Sequence, residues 1–192
     1  MRVSRQKAAE NRERIIDAAG VLFREQGFDG IGVAEIMKAA ELTHGGFYGH
    51  FESKDDLVAQ ASQRAMARAA MNWTNVTAGA PKKPYAALLE HYLSPRHRDD
   101  PGHGCAFAAL GAEAARCGKP VRSAFARGLE PLIEIIAKAA PGRSKSDRRR
   151  KAVAAVAELV GALMLARAVD DPALSNEILD AAKQELLAAG NR

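Results

Sequence analysis

Three side chains that can donate hydrogen bonds to anions lie close together in the chain: Tyr48, His50 and Lys54. A phenol, an imidazole and an ammonium group can each bind a phosphate oxygen. At the end of one short helix and the start of the next, they could hold the DNA backbone while the N-terminal residues of the short helix reach base edges in the major groove. The spacing alone equally fits ordinary surface residues on a turn that packs against the core.

The short element that would carry these groups is rich in glycine. Its exposed N-terminal positions are Thr43, His44 and Gly45. Three glycines, at 45, 46 and 49, each cost roughly 1 kcal/mol in a helix. Such a burden needs a reason, for example the close approach of the backbone to another surface, and DNA is such a surface. We expect Phe47 and Phe51 to anchor the element in the core.

The elements around this segment predict a helix-turn-helix module. Apolar residues recur at helical spacing over 12–26 and 33–40, a third helix follows over 43–49, and a fourth runs from 53 to about 73. Their N-caps are expected at Gly32, Thr43 and Ser53. Three short elements with tight turns, followed by a long helix, are typical of this module.

The remainder of the chain is also predicted to be helical. Alanine makes up about a fifth of the residues and aromatics only 5%, which favours closely packed helices over sheets. After a Pro-Gly break over 77–84, helices are expected over 84–94, 105–117, 120–139, 147–169 and 173–189, with a polar loop over 94–104. We therefore predict an all-α protein with a DNA-binding domain over 1–55 and a helical ligand-binding and dimerisation domain over 56–192.

The net charge of +5 does not by itself indicate nucleic-acid binding. Residues 141–151 contain six basic and one acidic residue and account for the whole excess, whereas residues 1–54 contain eight of each sign. The basic run is interpreted as a solvated surface, with phosphate binding as the alternative. At the other end, Arg2, Arg5 and Lys7 predict a basic arm that enters an adjacent minor groove.

Other function classes find little support in the sequence. No apolar stretch approaches a membrane span, the N-terminus does not read as a signal peptide, and the two cysteines form no CxxC pair, so we expect a cytoplasmic protein without a disulfide framework. No catalytic triad, phosphate loop or paired carboxylates stand out, and no cofactor is expected. The side chains of His91, His97, His103 and Cys105 match no compact zinc-ligand spacing, so we expect no metal site.

The run from Phe47 to Leu57 (Phe-Tyr-Gly-His-Phe-Glu-Ser-Lys-Asp-Asp-Leu) resembles the TetR family of bacterial transcriptional regulators, and the first helix with its 22–28 ending is similar too. The resemblance covers about residues 12–60. It implies that Tyr48, His50 and Lys54 bind phosphates and that Thr43, His44 and Gly45 lie at the bases. Gly32 departs from the family's usual Ser or Thr, so that phosphate contact is lost or comes from a backbone N–H. Because the glycines leave few side chains for base reading, we expect His44, Lys38 and the basic arm to read the bases.

The resemblance also implies that the last two helices pair with their copies in a four-helix dimer bundle. Two recognition elements must meet half-sites about 34 Å apart, and this spacing requires a dimer. The residues expected at the interface are Val156, Leu159, Leu163, Leu179 and Leu186. Helical periodicity alone leaves open that they form a core within one chain.

Together these features predict a one-component regulator, a repressor that binds double-stranded operator DNA as a homodimer and is released by a small-molecule inducer. The alternatives are a small helical enzyme with an incidental helix-turn-helix and a DNA-binding protein without sequence preference. Cys105, expected in the first turn of a helix near His103, is a candidate sensor thiol because the helix dipole would lower its pKa. Its alternative role is a small apolar core residue, and Cys117 is expected to be less reactive.

Overall fold

The computed structural model describes residues 5–140, 142 and 144–190, and within these ranges it contains helices and no strand. There are nine α-helices in this part of the chain: α1 Arg5–Gln26, α2 Val33–Ala39, α3 Lys54–Gly79, α4 Pro84–Tyr92, α5 Pro95–Asp99, α6 Ala106–Ala114, α7 Lys119–Ala139, α8 Lys145–Ala168 and α9 Pro172–Gly190. Two 3₁₀ helices, His44–Gly49 and Pro101–His103, complete the set. The all-α prediction is confirmed. No helix in these ranges is both long and apolar enough to cross a membrane.

The N-terminal module consists of α1, α2 and the 3₁₀ helix His44–Gly49, packed against the start of α3. Its core includes Ile15, Phe23, Ile36, Phe47 and Leu57, all at most 1% exposed. Apolar residues at helical spacing create this core, as the sequence pattern predicts. The expected anchors Phe47 and Phe51 are confirmed: both are buried, with ring centroids 5.5 Å apart.

The turn between α2 and the 3₁₀ helix contains a non-glycine residue in the left-handed region, Glu41, with φ of 56°. Its backbone N–H donates to the carbonyl of Lys38, and that of Leu42 donates to Met37. Outside the turn, the Glu41 carboxylate accepts from Arg14 of α1 at 2.6 Å. An ion pair thus connects the turn to α1 at a position where a side chain costs about 1–2 kcal/mol of backbone strain.

Helix α3 joins the two halves of the chain. It spans the predicted domain boundary at 55/56 without a break and packs along α7 and α1. The core of the N-terminal module also takes in Leu110 of α6 together with Val121 and Phe125 of α7. The second core lies among α3, α4, α6, α7, α8 and α9. The N-terminal module is therefore continuous in packing with the helical body.

Several predicted boundaries are wrong. Helix α1 begins at Arg5, not near residue 12, and α3 continues to Gly79, where the hydroxyl of Thr77 donates back to the carbonyl of Trp73. The third element is a 3₁₀ helix, in keeping with its glycine content. The predicted loop 94–104 contains α5 and the second 3₁₀ helix, because Ser94 and Asp100 each accept from a backbone N–H three residues later and a proline follows each cap.

Candidate functional site

The 3₁₀ helix His44–Gly49 presents one large aromatic side chain to solvent. Tyr48 is 74% exposed, the most exposed large hydrophobic residue among those described, and its ring packs edge to face with that of Phe47, at 5.2 Å between centroids. His50, the C-cap of this helix, is half-buried, and Lys54 is the first residue of α3. The fold thus brings the three predicted phosphate donors to one end of the module, as residues that flank a single short turn.

The start of α3 combines charges that favour phosphate with charges that oppose it. Ser53 caps the helix by accepting from the N–H of Asp56 at 3.1 Å. The amino-terminal end of a helix carries a partial positive charge, which attracts phosphate. Asp55 and Asp56 partly neutralise that end, and Asp56 accepts from the amide of Gln60 at 2.6 Å. Lys54 is the only cationic side chain in this first turn.

The expected base-reading residues lie on the outer face of the module. Thr43, His44, Gly45 and Lys38 are all exposed. Thr43 is the N-cap, but its hydroxyl makes no bond to the helix it begins. It keeps its capacity for an external partner, unlike a hydroxyl that satisfies its own helix.

The glycines of the 3₁₀ helix are not required by packing within the chain. A Cβ atom added at Gly45 or Gly49 would meet nothing within 4 Å, and one at Gly46 would lie at an ordinary 3.6 Å from Cε of Met37. None of the three has a positive φ among the described residues. Packing among the described residues therefore does not explain these glycines.

The structure bears on two further expectations at this end of the molecule. The N–H of Gly32 does not face solvent unpaired, because it donates to the carboxylate of Glu35 at 3.0 Å, so it is not a ready replacement for a phosphate-binding hydroxyl. The predicted basic arm is not an arm over its described part: Arg5 and Lys7 belong to α1, where Lys7 pairs with Glu10 at 3.3 Å. Arg2 lies outside the described residues.

Helices α8 and α9 bury one apolar face and expose another. The five expected interface residues, Val156, Leu159, Leu163, Leu179 and Leu186, are at most 5% exposed within a single chain. They form the intrachain core, so their assignment to a dimer interface is wrong. The exposed large apolar residues of these helices are Val153, Met164, Leu165 and Leu174, at 42–51% exposure. We call these four residues the outer apolar face.

A cavity of about 720 Å³ lies between α1, α3, α4 and the segment 94–105. Its apolar wall includes Trp73, Tyr92 and Val21, and the rings of Trp73 and Tyr92 meet edge to face at 5.5 Å. Its charged wall consists of Asp17, Arg24, Arg68, Arg96 and Asp100. One side of this cavity is a helix of the N-terminal module, because α1 contributes Asp17, Val21 and Arg24.

Two polar contacts join α1 to the helical body near this cavity. The Nε of Arg24 donates to the carbonyl of Gly102 at 2.8 Å, and a second guanidinium nitrogen donates to the same oxygen. Beyond the end of α1, the carboxylate of Glu113 in α6 accepts from the N–H of Phe28 at 2.6 Å. Gly27, with φ of 81°, lies against the same carboxylate. A change in the 94–105 segment or in α6 therefore reaches α1 directly.

The segment 94–105 is also tied to α8. Arg167 donates to the carbonyls of His97 and Arg98, at 2.7 and 2.9 Å. His97 donates from Nδ1 to the carbonyl of Tyr92 at 2.8 Å and accepts the N–H of Cys105 at Nε2, which fixes it as the neutral tautomer. Burial lowers the pKa of His97 to about 4, and it raises that of Tyr92, next to Cys105, well above the usual range.

Cys105 lines the cavity, but it is the N-cap of α6 and not a first-turn residue, and it is only 5% exposed. The imidazole of His103 is hydrogen-bonded to Asp100, with 2.9 Å between Nδ1 and a carboxylate oxygen. The Cys117 thiol donates to the carbonyl of Glu113, and burial raises its pKa. Over the described residues, no group of three or more histidine, cysteine or acidic side chains could hold a metal ion.

Comparison with known proteins identifies the N-terminal module. The family model described as "Bacterial regulatory proteins, tetR family" matches residues 15–61. The HTH-type transcriptional regulator AcrR of Shigella flexneri is 42% identical over 59 residues, which are 31% of this chain and 27% of AcrR. The HTH-type transcriptional repressor NemR of Escherichia coli (strain K12) is 26% identical over 133 residues, 68% of this chain and 67% of NemR. The chain belongs to the TetR family of bacterial regulatory proteins.

Solved structures extend the similarity to the body of this TetR-family chain. A TetR transcriptional regulator from Chloroflexus aurantiacus superposes with a TM-score of 0.77 at 26% identity and covers 94% of each chain. The reduced form of E. coli NemR gives the same TM-score at 23% identity, over 92% of this chain and 95% of NemR, which supports the fold. The TetR family consists of one-component transcriptional regulators, so the enzyme alternative is not supported.

Sequence reasoning missed the residues that connect the two halves of this TetR-family chain. Arg24 and Gly102 are 78 positions apart, and Phe28 and Glu113 are 85 apart. Arg24 reads as an ordinary basic residue in the last turn of a helix, where it complements the dipole. Only the absence of an acidic residue four positions away, at Gly20 and Phe28, hints that its partner lies elsewhere.

Proposed function

We propose that the chain represses transcription by binding double-stranded operator DNA as a homodimer in the cytoplasm, and that a small molecule in the cavity releases it. The observation that carries DNA binding is the surface of the 3₁₀ helix, where Tyr48 is 74% exposed beside glycines that no packing among the described residues requires. A phenol held away from the core and a backbone without Cβ atoms suit a polar surface that approaches closely.

The roles of individual residues follow from their positions. Tyr48, His50 and Lys54 bind phosphates at the C-terminal end of the 3₁₀ helix and the start of α3. Thr43, His44 and Lys38 reach towards bases, and Gly45 lets the helix enter the groove deeply. Arg5 and Lys7 contact the DNA backbone from the first turns of α1 rather than from an arm.

We place the homodimer contact on the outer apolar face of α8 and α9. Apolar side chains at 42–51% exposure on two adjacent helices favour burial against a second copy, since each would otherwise stay in water. Gly161 lies on the same helix with nothing within 4 Å of its Cβ position, which permits a close helix–helix approach. A dimer through this face would present two 3₁₀ helices to two half-sites of one operator.

The cavity is proposed as the effector site because of where it lies. Its volume of about 720 Å³ suits a small organic molecule, and α1 forms one of its sides. A ligand there contacts the DNA-binding module and the body at once. It can therefore shift the position of α1 by any difference in affinity between the two states, with each tenfold difference worth about 1.4 kcal/mol.

Repression is proposed over activation from the names of relatives: NemR of E. coli and DhaR of Mycobacterium sp. (strain GP1) are both called HTH-type transcriptional repressors. The DhaR alignment covers 64% of this chain at 26% identity. The sign of regulation comes to this chain only by that similarity.

The test is fluorescence anisotropy with the DNA upstream of the gene, measured over a range of salt concentrations. If a dimer makes six to eight phosphate contacts, the slope of log K against log salt should be roughly −5 to −7. A scrambled fragment of equal length is the control, and it should bind at least about a thousandfold more weakly. Equal affinity for both fragments would favour the alternative of a binder without sequence preference, and salt-independent binding would contradict phosphate contacts altogether.

A second way for an effector to act is through Cys105, which we propose as the site of covalent effectors small enough to enter the cavity. The thiol lines the cavity, and Cys105 is the N-cap residue of α6. Limiting alkylation near neutral pH should modify Cys105 before Cys117 and release operator in the wild type but not in Cys105→Ser. First modification at Cys117, or release that persists in Cys105→Ser, would leave Cys105 as a core residue.

A further inference from the structure

A half-buried guanidinium group in the wall of the cavity has no carboxylate partner. Arg24 donates from two nitrogens to one backbone carbonyl, that of Gly102, and over the described residues it forms no ion pair. Asp100 and Glu25 attract it electrostatically but form no hydrogen bond with it. A charge taken out of water usually has a counter-ion, because a carbonyl dipole only partly replaces the lost hydration.

The surroundings of Arg24 disfavour its charged guanidinium group, so a bound anion would stabilise it. Burial and the like charge of Arg68 are the two largest reasons why the pKa of Arg24 is lowered. Arg68 itself pairs with Asp17 at 2.8 Å, so that carboxylate is already used. Asp100 is likewise engaged, by His103. Both carboxylates of the cavity wall are therefore already paired, whereas Arg24 has only the carbonyl of Gly102.

The remaining lining side chains leave an excess of positive charge. Arg96 also lines the cavity from an exposed position and forms no ion pair in the described part of the chain. Three arginines face two aspartates in the cavity wall, and His97 is neutral. Beside this charged wall lie the buried rings of Trp73 and Tyr92. The cavity thus combines a cationic side with an aromatic side.

We propose that the effector is an organic anion with a planar apolar body, whose acidic group binds the guanidinium group of Arg24 while its body packs against Trp73. This inference rests on the proposed function of the cavity as effector site. A carboxylate accepts two parallel hydrogen bonds from a guanidinium group, and these charge-assisted bonds are about twice as strong as those to a neutral acceptor. The anion therefore competes with the carbonyl of Gly102 for Arg24.

That competition provides a route to release. Arg24 links α1 to the 3₁₀ helix Pro101–His103, and the preceding helix α5 is held by Arg167 of α8 through the carbonyls of His97 and Arg98. When Arg24 turns to the anion, α1 loses its bond to the segment while α8 keeps its own. The N-terminal module keeps its bond from Phe28 to Glu113 but has one polar contact fewer with the body, so it can shift more easily relative to the helices that carry the outer apolar face.

The test uses three probes with the same body: 3-phenylpropionate, its amide, and 3-phenylpropylamine. Binding is followed by the fluorescence of Trp73, the only tryptophan in the chain, which lies in the cavity wall. It is checked by calorimetry on the full chain without DNA. We expect the carboxylate to bind at least about tenfold more tightly than the amide or the amine, as expected for a hydrogen-bonded charge. Equal affinities, or no binding of any probe up to its solubility limit, would overturn the proposal.

Variants assign the preference to Arg24. Arg24→Gln should lose the roughly tenfold advantage of the carboxylate and leave the binding of the amide unchanged, whereas Arg24→Lys, which keeps the charge, should retain part of it. Arg116→Gln removes the same charge from an exposed position outside the cavity and should change nothing. If Arg24→Gln does not fold, Arg96→Gln at the exposed edge must show a smaller loss of the same sign. Unchanged carboxylate affinity in the folded variants contradicts the proposal.

Operator release separates this inference from the function on which it rests. If 3-phenylpropionate binds through Arg24 but DNA stays bound, the ligand class stands and the cavity is not the effector site. If the amine or the amide releases DNA and quenches Trp73 while the carboxylate does neither, the cavity is the effector site and the anion assignment is wrong.

Discussion

Two exposed surfaces of this chain carry opposite chemistry. The 3₁₀ helix of the N-terminal module exposes a phenol, a threonine hydroxyl and bare glycine backbone, whereas the outer apolar face of α8 and α9 exposes aliphatic side chains and Met164. Packing among the described residues explains neither the glycines of the first surface nor the exposed apolar side chains of the second. The difference between them indicates the partner: hydrogen-bond donors and glycines suit phosphate and base edges, and aliphatic groups suit a second apolar surface.

The largest effect should separate the two faces of α8. Leu163, fully buried, and Met164, 46% exposed, are neighbours in sequence. Leu163→Glu should prevent folding or cost more than about 3 kcal/mol, since a charge would enter a dry core. Met164→Glu should fold with unchanged helicity and become monomeric in sedimentation equilibrium.

Operator affinity gives the second readout for these variants. It should fall strongly in the Met164→Glu monomer, because one half-site remains unoccupied. A Met164→Glu protein that stays dimeric would move the interface away from the outer apolar face.

The next effect contrasts an internal glycine with a surface glycine. A Cβ atom added at Gly128 of α7 would overlap the side chain of Met66, because it would lie only 2.8 Å from the Cβ atom of Met66. Gly128→Ala should therefore lower the free energy of unfolding by about 1–3 kcal/mol. Gly45→Ala has open space and should leave stability unchanged or raise it by up to about 1 kcal/mol.

DNA binding should show the reverse order for these two glycines. Gly45→Ala should weaken operator binding in anisotropy measurements, while Gly128→Ala should retain it at temperatures where the protein is folded. Gly111→Ala, which also faces open space on α6, is the control for the alanine itself. Full operator affinity in Gly45→Ala would show that no surface approaches this backbone.

A smaller effect tests the type of DNA contact. Tyr48→Phe and Lys54→Ala should each cost about 0.5–1.5 kcal/mol of operator affinity, nearly uniformly across operator variants, because they contact phosphate. Lys54→Ala should also reduce the salt slope by about one. His44→Ala should instead change the preference among variants by about 1–3 kcal/mol. Uniform loss in His44→Ala would make it another phosphate contact, and unchanged affinity in both Tyr48→Phe and Lys54→Ala would remove their assignment.

The smallest effect concerns the turn that positions the 3₁₀ helix. Glu41→Gly removes about 1–2 kcal/mol of strain at a φ of 56° but also loses the exposed ion pair with Arg14, worth about 0.2–1 kcal/mol. We therefore expect a net gain of roughly 0–2 kcal/mol in urea unfolding. Arg14→Gln measures the ion pair alone. A loss of stability in Glu41→Gly that exceeds the loss in Arg14→Gln would show that the turn is not strained.

The sequence by itself determined the N-terminal module because its information is local. Phe47 and Phe51 lie four positions apart and face one core, Tyr48 between them is exposed, and Ser53 caps its own helix. Helical spacing therefore fixes which side chains point inward. The family resemblance depends on the same short run, which is why the match to residues 15–61 agrees with it.

Only the tertiary structure decided the body. Helix α8 is rich in alanine and aliphatic residues on all sides, so its periodicity did not distinguish the core residue Leu163 from the exposed Met164. The cavity depends on contacts between residues up to 78 positions apart, such as Arg24 and Gly102. Local spacing cannot predict these contacts, because the packing of whole helices, and not any short-range pattern, brings an arginine without an acidic partner against a distant backbone carbonyl.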